Sequence, residues 1–127
     1  MNQQAKRKIL AVLDDLFFRV KIEDAAKRAG LPIDFVKSEK EAFEKAAQDP
    51  LLMILDLNCL SVQPLRLIAA LKANEATKGV SVLGYVSHVQ GELKQKAHDC
   101  GCDMVLARSA FSQNLPQILR RHAAGAA

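Results

Sequence analysis

Short, solid apolar runs alternate with longer amphipathic stretches along the whole chain. Lys8–Leu13 reads as a buried strand. Leu16–Ala29 reads as a helix, because Phe18, Ile22, Ala25, Ala26 and Ala29 fall on one face of a 3.6-residue period. Gly30 supplies a left-handed cap after it. Ile33–Val36 is a short strand behind Pro32. Ser38-Glu39-Lys40-Glu41 has the form of a capping box, opening a helix that buries Ala42, Phe43, Ala46 and Ala47 and stops before Pro50. Leu51–Leu57 is the most apolar strand. Pro64 suits the first turn of a helix running to about Ala73. Val80–Val86 is a fourth strand, Gln90–Cys100 a helix capped by Gly101, and Met104–Ala107 a fifth strand. A last helix spans about Gln113–His122, with Leu115, Ile118 and Leu119 inward and Pro116 in its first turn.

Strand and helix alternate throughout, so the expected fold is α/β: a five-stranded parallel sheet, doubly wound, with helices on both faces in a flavodoxin-like, three-layer (βα)5 arrangement. In that topology the first and third strands flank the switch point, and ligands bind in the crevice at the carboxyl ends of the strands. Both of these apolar runs end in acids. Asp14 and Asp15 follow the first, and Asp56 lies within the third. A carboxylate at the tip of an apolar strand is costly to place unless something uses it. The three acids are therefore expected to be neighbours.

The remaining properties mostly narrow the field. The 127 residues suit one domain, with a core over about 8–122. Half of the residues are apolar and a quarter charged, an ordinary globular balance. No apolar run approaches the roughly 20 residues of a membrane span. No signal peptide is read at the N-terminus, and the cytoplasm is the expected compartment. The net charge of +4 comes from scattered residues, with small clusters at Lys6-Arg7-Lys8 and Arg120-Arg121. Without aromatic-rich or helix-turn-helix patterning this argues against a nucleic-acid partner. Cys59, Cys100 and Cys102 are an odd set. His98, Cys100 and Cys102 lack a second cysteine pair for zinc, so buried thiols are expected. His88 and His122 show no partner pattern and read as surface residues.

With Asp14, Asp56, Asn58 and the strand order in place, the chain resembles the receiver domains of two-component response regulators over about Lys8 to His122. The resemblance implies that Asp56 is an aspartyl phosphoacceptor and that Asp14, Asp56 and the Asn58 backbone carbonyl hold Mg²⁺. It implies a histidine kinase or phosphotransfer protein as donor, a downstream protein as output, and no classical enzyme activity. It also implies a homodimer surface on the fourth helix, fifth strand and fifth helix, including Gln95, Asp103 and Arg120. Several positions depart from the pattern. Leu13 stands where the first acid belongs, with Asp15 as a substitute ligand. Val86 stands at the hydroxyl position, with Ser87 one place later. Arg108-Ser109 replaces Lys-Pro, and Cys59-Leu60-Ser61-Val62-Gln63-Pro64 replaces a Gly-containing turn. Met104 and Val105 leave no aromatic toggle on the fifth strand, while the one tyrosine, Tyr85, lies on the fourth.

Plainer roles compete with each of these. Asp14 and Asp15 are also suited to cap the first helix. Asp56 is also readable as a solvated acid at a strand end. Ser87 is read first as a loop or N-cap residue, and Arg108 equally as a surface cation. The alternative function is a pseudo-receiver, a phosphorylation-independent protein-interaction module. A nucleotide or flavin site is disfavoured, because no Gly-rich cradle follows the first strand.

Overall fold

The computed structural model describes residues 7–87 and 91–125. Its elements are β1 (Ile9–Val12), α1 (Leu16–Arg28), β2 (Ile33–Val36), α2 (Glu39–Ala46), β3 (Leu52–Asp56), α3 (Pro64–Lys72), β4 (Val82–Val86), α4 (Gly91–Cys100), β5 (Met104–Ala107) and α5 (Arg108–Gly125). The strands form one sheet in the order β2-β1-β3-β4-β5, and every pairing is parallel. This is the doubly wound, flavodoxin-like order. Each strand is reached by a helical crossover, and the order reverses between β1 and β3.

Burial explains the solid apolar runs. β1, β3 and β4 are buried along their whole length, as central strands covered on both faces must be. On one face, Ile9, Ala11, Ile54 and Tyr85 pack with Phe18 and Ile22 of α1 and Phe111, Leu115 and Leu119 of α5. On the other, Leu10, Val12, Leu55 and Val86 pack with Ala42 of α2, Leu67, Ile68 and Leu71 of α3, and Ala97 of α4. The result is three layers with the sheet in the middle.

The local start and stop signals work as their chemistry requires. Ser38 Oγ accepts the Glu41 N–H at 3.1 Å, the serine half of the expected capping box. Pro64 opens α3, where a missing N–H costs nothing. Gly30 and Gly101 follow α1 and α4 with φ of 72° and 108°. Some boundaries differ from expectation. α2 ends at Ala46, leaving Ala47 exposed as its C-cap, and Phe43 is only half-buried. β4 begins at Val82 rather than Val80. α5 begins at Arg108, directly after β5, so Pro116 lies inside it rather than in its first turn. Burial of Phe111 and Leu115 on the α5 stripe extends the helix upstream despite the N–H that proline lacks. His122 is half-buried, with Nδ1 2.9 Å from the Ile118 carbonyl, rather than a plain surface residue. Cys59 and Cys102 are buried and Cys100 half-buried, all free thiols. His88 and Gln90 lie outside the described residues.

Gly101 also makes a packing contact. A Cβ there would lie 2.7 Å from Lys72 Cγ, and the Lys72 ammonium bridges the Val80 carbonyl at 2.7 Å and the Asp103 carboxylate at 3.0 Å. Gly101→Ala therefore combines an unfavourable left-handed backbone with a clash. It is expected to lower stability by about 1–2 kcal/mol, read as a reduced denaturation midpoint at unchanged slope.

Candidate functional site

Asp56 ends β3 and is 8% exposed, the only charged residue among the described ones that is buried. It faces Tyr85 across the β3–β4 ladder. Its Oδ1 accepts the Asn58 N–H at 2.8 Å, and its carbonyl accepts the Cys59 N–H at 3.0 Å. The carboxylate thus fixes the turn that follows it. Burial pushes the Asp56 carboxyl above its ordinary range. The Asn58 N–H and Arg108 oppose this shift, and the charges of Asp15 and Asp14 add to it. At 8% exposure Asp56 is not a solvated strand-end acid.

Asp14 is exposed at the end of the β1 side of the crevice. Its Oδ2 accepts from the Leu60 N–H (3.2 Å), the Ser61 N–H (3.2 Å) and the Cys59 thiol (3.4 Å). Hydrogen bonding from Ser61, then from the Cys59 thiol and the Leu60 backbone, outweighs modest burial and holds Asp14 below the usual carboxylate range. These contacts explain how a segment without glycine closes the crevice: Cys59-Leu60-Ser61 is clamped onto Asp14. The Cys59 Sγ also lies 3.3 Å from Ser61 Oγ.

Asp15 has a different task. Its Oδ1 accepts the N–H groups of Phe17 (2.8 Å) and Phe18 (3.2 Å), making it the N-cap of α1. Its Oδ2 is ion-paired with Arg108 Nη2. The capping role weighed for both acids therefore falls to Asp15 alone. Both Asp15 oxygens thus have protein partners, the α1 cap and Arg108. Leu13 itself is buried in the α1/α5-side core.

Arg108 opens α5 beside the same crevice, and its guanidinium carbon lies 4.4 Å from the Phe18 ring centroid. A side chain so packed is not an ordinary surface cation. Ser87 donates from both its N–H (2.9 Å) and its hydroxyl (3.0 Å) to Asn58 Oδ1. It therefore secures the loop after β3. Val86 is buried in the core cluster on the other face of the sheet.

Three neighbours of the site were not assigned roles in it from the sequence. Tyr85 is 1% exposed and stacked on Phe111 (4.6 Å) and Phe18 (5.3 Å). The signal available was its place as the single polar-tipped residue in an apolar strand. Leu60 and Ser61, which grip Asp14, carried no residue-type signal at all. Among the described residues no group of three or more His, Cys, Asp or Glu side chains forms a metal cluster. The expected Mg²⁺ set is smaller, with two carboxylates and a carbonyl. On the surface expected to pair, Asp103 is already bonded to Lys72 (3.0 Å) and to the Val82 N–H (2.8 Å), and Gln95 to Asp99 (2.9 Å).

Solved structures share this architecture. The receiver domain of the sensor histidine kinase PA1611 from Pseudomonas aeruginosa PAO1, with a magnesium ion coordinated in its active site cleft, matches with a TM-score of 0.78 at 20% identity, over 94% of this chain and 99% of that one. The chemotaxis response regulator CheY4 of Vibrio cholerae matches with a TM-score of 0.76 at 22% identity, over 93% and 99%. The phosphorylated cyanobacterial phytochrome response regulator RcpA matches with a TM-score of 0.74 at 20% identity, over 92% and 91%. The chain has the fold of response-regulator receiver domains. No family model matches the sequence, and no curated relative is found.

The buried Asp56 charge has a consequence for stability. Its folded-state pKa lies above the ordinary value of 3.8, so ionisation disfavours the native state once pH rises past that value. Asp56→Asn keeps an acceptor for the Asn58 N–H and removes the charge. It is expected to stabilise the fold by about 1 kcal/mol near neutral pH, roughly 4 °C in Tm. The gain should shrink to nothing as pH falls below the ordinary carboxylate range. Thermal melts of both proteins across pH check this.

Proposed function

We propose that this chain is a receiver-type phosphoacceptor, a single domain in phosphorelay signalling that takes a phosphoryl group onto Asp56. The observation that carries the reading is a nearly buried carboxylate at the carboxyl end of the central strand, on which the charges of Arg108, Asp15 and Asp14 all bear. An isolated buried charge of this kind is unfavourable, and natural structures retain one chiefly where it acts. A histidine kinase or histidine phosphotransfer protein is the donor, and a separate protein receives the output. The same reading places the chain in the cytoplasm. Among the described residues no helix is long and apolar enough to cross a membrane.

The donor set fits Mg²⁺, which needs only one or two carboxylates with backbone oxygen and waters. Asp14 and Asp56 would supply the carboxylates and Asn58 its backbone carbonyl. Burial is the main cause of the raised Asp56 pKa, and the smaller repulsion from Asp15 and Asp14 that adds to it is the kind a divalent cation relieves. The ion, when bound, offsets charge on the transferring phosphoryl oxygens. The chain's own residues do the rest. Ionised Asp56 attacks the phosphorus of a phosphohistidine, an O–P bond forms as the N–P bond breaks, and the imidazole leaves with the bonding electron pair and is protonated. The Asn58 N–H holds one Asp56 oxygen, orienting the other. Arg108 offers guanidinium donors to the new dianion.

One observation favours the pseudo-receiver reading. Leu13 is part of the core, so the first acid of the pattern is absent, and the neighbouring Asp15 is ion-paired with Arg108. The two readings diverge under phosphodonor. Incubation with acetyl phosphate and Mg²⁺, followed by intact-mass spectrometry, is expected to show one added phosphoryl group. It should be absent without Mg²⁺ and in Asp56→Asn. No adduct in the wild type, together with partner binding indifferent to beryllofluoride, would instead establish the phosphorylation-independent module.

Because Asp56 must be ionised to attack, and burial raises its pKa while a bound Mg²⁺ lowers it, the rate should climb with pH through a midpoint below that of the metal-free carboxyl. Initial rates with acetyl phosphate at saturating Mg²⁺, measured from acid to neutral pH, check the direction.

A further inference from the structure

Two side-chain polar atoms among the described residues are buried without a hydrogen-bond partner: the Tyr85 hydroxyl and Arg108 Nε. Such orphans are uncommon in native proteins, and each calls for a reason. Both lie beside Asp56. Tyr85 is its direct register partner on β4, so the two side chains leave the same face of the sheet. The charged groups that bear on the Tyr85 hydroxyl are, in order, Asp56, Arg108 and Asp15.

Both donors are also held in place. The Tyr85 ring lies 4.6 Å from Phe111 at 10° and 5.3 Å from Phe18 at 28°, wedged between α1 and α5. Arg108 is fixed at one nitrogen by Asp15 and across its plane by Phe18. The hydroxyls that sequence position offers do not compete. Ser87 Oγ donates to Asn58 Oδ1, and position 86 carries a valine buried against the other face. A phosphoryl group is acceptor-rich and would satisfy both orphans at once.

We infer that the Tyr85 hydroxyl and Arg108 Nε form the donor pair that receives phosphoryl oxygens on Asp56, in the role the missing strand-end hydroxyl would fill. The inference rests on the phosphoacceptor reading above and assigns Tyr85 as its binding residue. Burial keeps the phenol protonated, so it donates rather than repels.

The chain has one tyrosine and no tryptophan, so its intrinsic ultraviolet emission reports Tyr85 alone. Beryllofluoride with Mg²⁺ serves as the phosphoryl probe. Wild-type emission is expected to change saturably with beryllofluoride, but not with Mg²⁺ and fluoride alone, and Asp56→Asn should abolish the change. By titration calorimetry Tyr85→Phe should bind the probe about tenfold more weakly, the effect of losing one hydrogen bond to a charged group. Its Tm should be unchanged or higher, since the hydroxyl it loses has no partner in the free protein. Equal probe affinity in Tyr85→Phe would overturn the inference while leaving Asp56 as acceptor. A marked loss of Tm would overturn it too, by revealing a structural bond to the hydroxyl. Absence of any wild-type binding would remove the phosphoacceptor reading itself, and this inference with it.

Discussion

The carboxylate of Asp56 sits at the end of the central strand with little water around it and two other acids nearby. Its neighbourhood is arranged around that unfavourable charge. The Asn58 N–H takes one of its oxygens, and Arg108 lies close enough to offset part of its charge. The adjoining acids are restrained by other bonds: Asp14 by the loop at Cys59–Ser61, Asp15 by the cap of α1 and by Arg108. Each contact that quiets a neighbour also fixes it, so the crevice is braced around Asp56. Under the proposed phosphoacceptor reading such bracing suits a transfer in which positioning and charge stabilisation carry nearly all of the catalysis.

The contacts that hold the crevice also constrain how it can change. Asp14 grips the loop after β3, Ser87 ties the end of β4 to Asn58 in that loop, and Asp15 links α1 to the start of α5. Under the proposed reading, a new dianion on Asp56 would load Arg108 at Nε while Asp15 keeps Nη2, and would compete for the donors around the loop. Such local rearrangement is the general route by which a charge change at one residue is read at a surface. The exposed Phe17 and Leu60 flank these same connections.

Most of the fold could be read from the chain because its signals are of the strongest kinds. Fully buried parallel strands leave solid apolar runs such as Leu52–Leu55, and the helices carry clear stripes such as Phe18, Ile22 and Ala26. The start of α5 could not be read, because Pro116 mimics a first-turn proline while tertiary burial of Phe111 decides the matter. At the site, the acids were legible as charges where apolar residues should be. Their division of labour was not, since capping by Asp15 and loop-gripping by Asp14 depend on three-dimensional reach. Tyr85 was hidden for the opposite reason: an aromatic residue in a buried strand looks like core, and only its unpaired hydroxyl marks it out.

The central claim is that the buried Asp56 and the exposed Asp14 serve one crevice suited to a divalent cation. Carboxylate carbon NMR followed through a pH titration, with and without Mg²⁺, addresses it most directly. One aspartate should titrate above the ordinary carboxylate range, vanish in Asp56→Asn, and fall in apparent pKa when Mg²⁺ is added. An Asp56 that titrates normally, or whose titration ignores Mg²⁺, would contradict it.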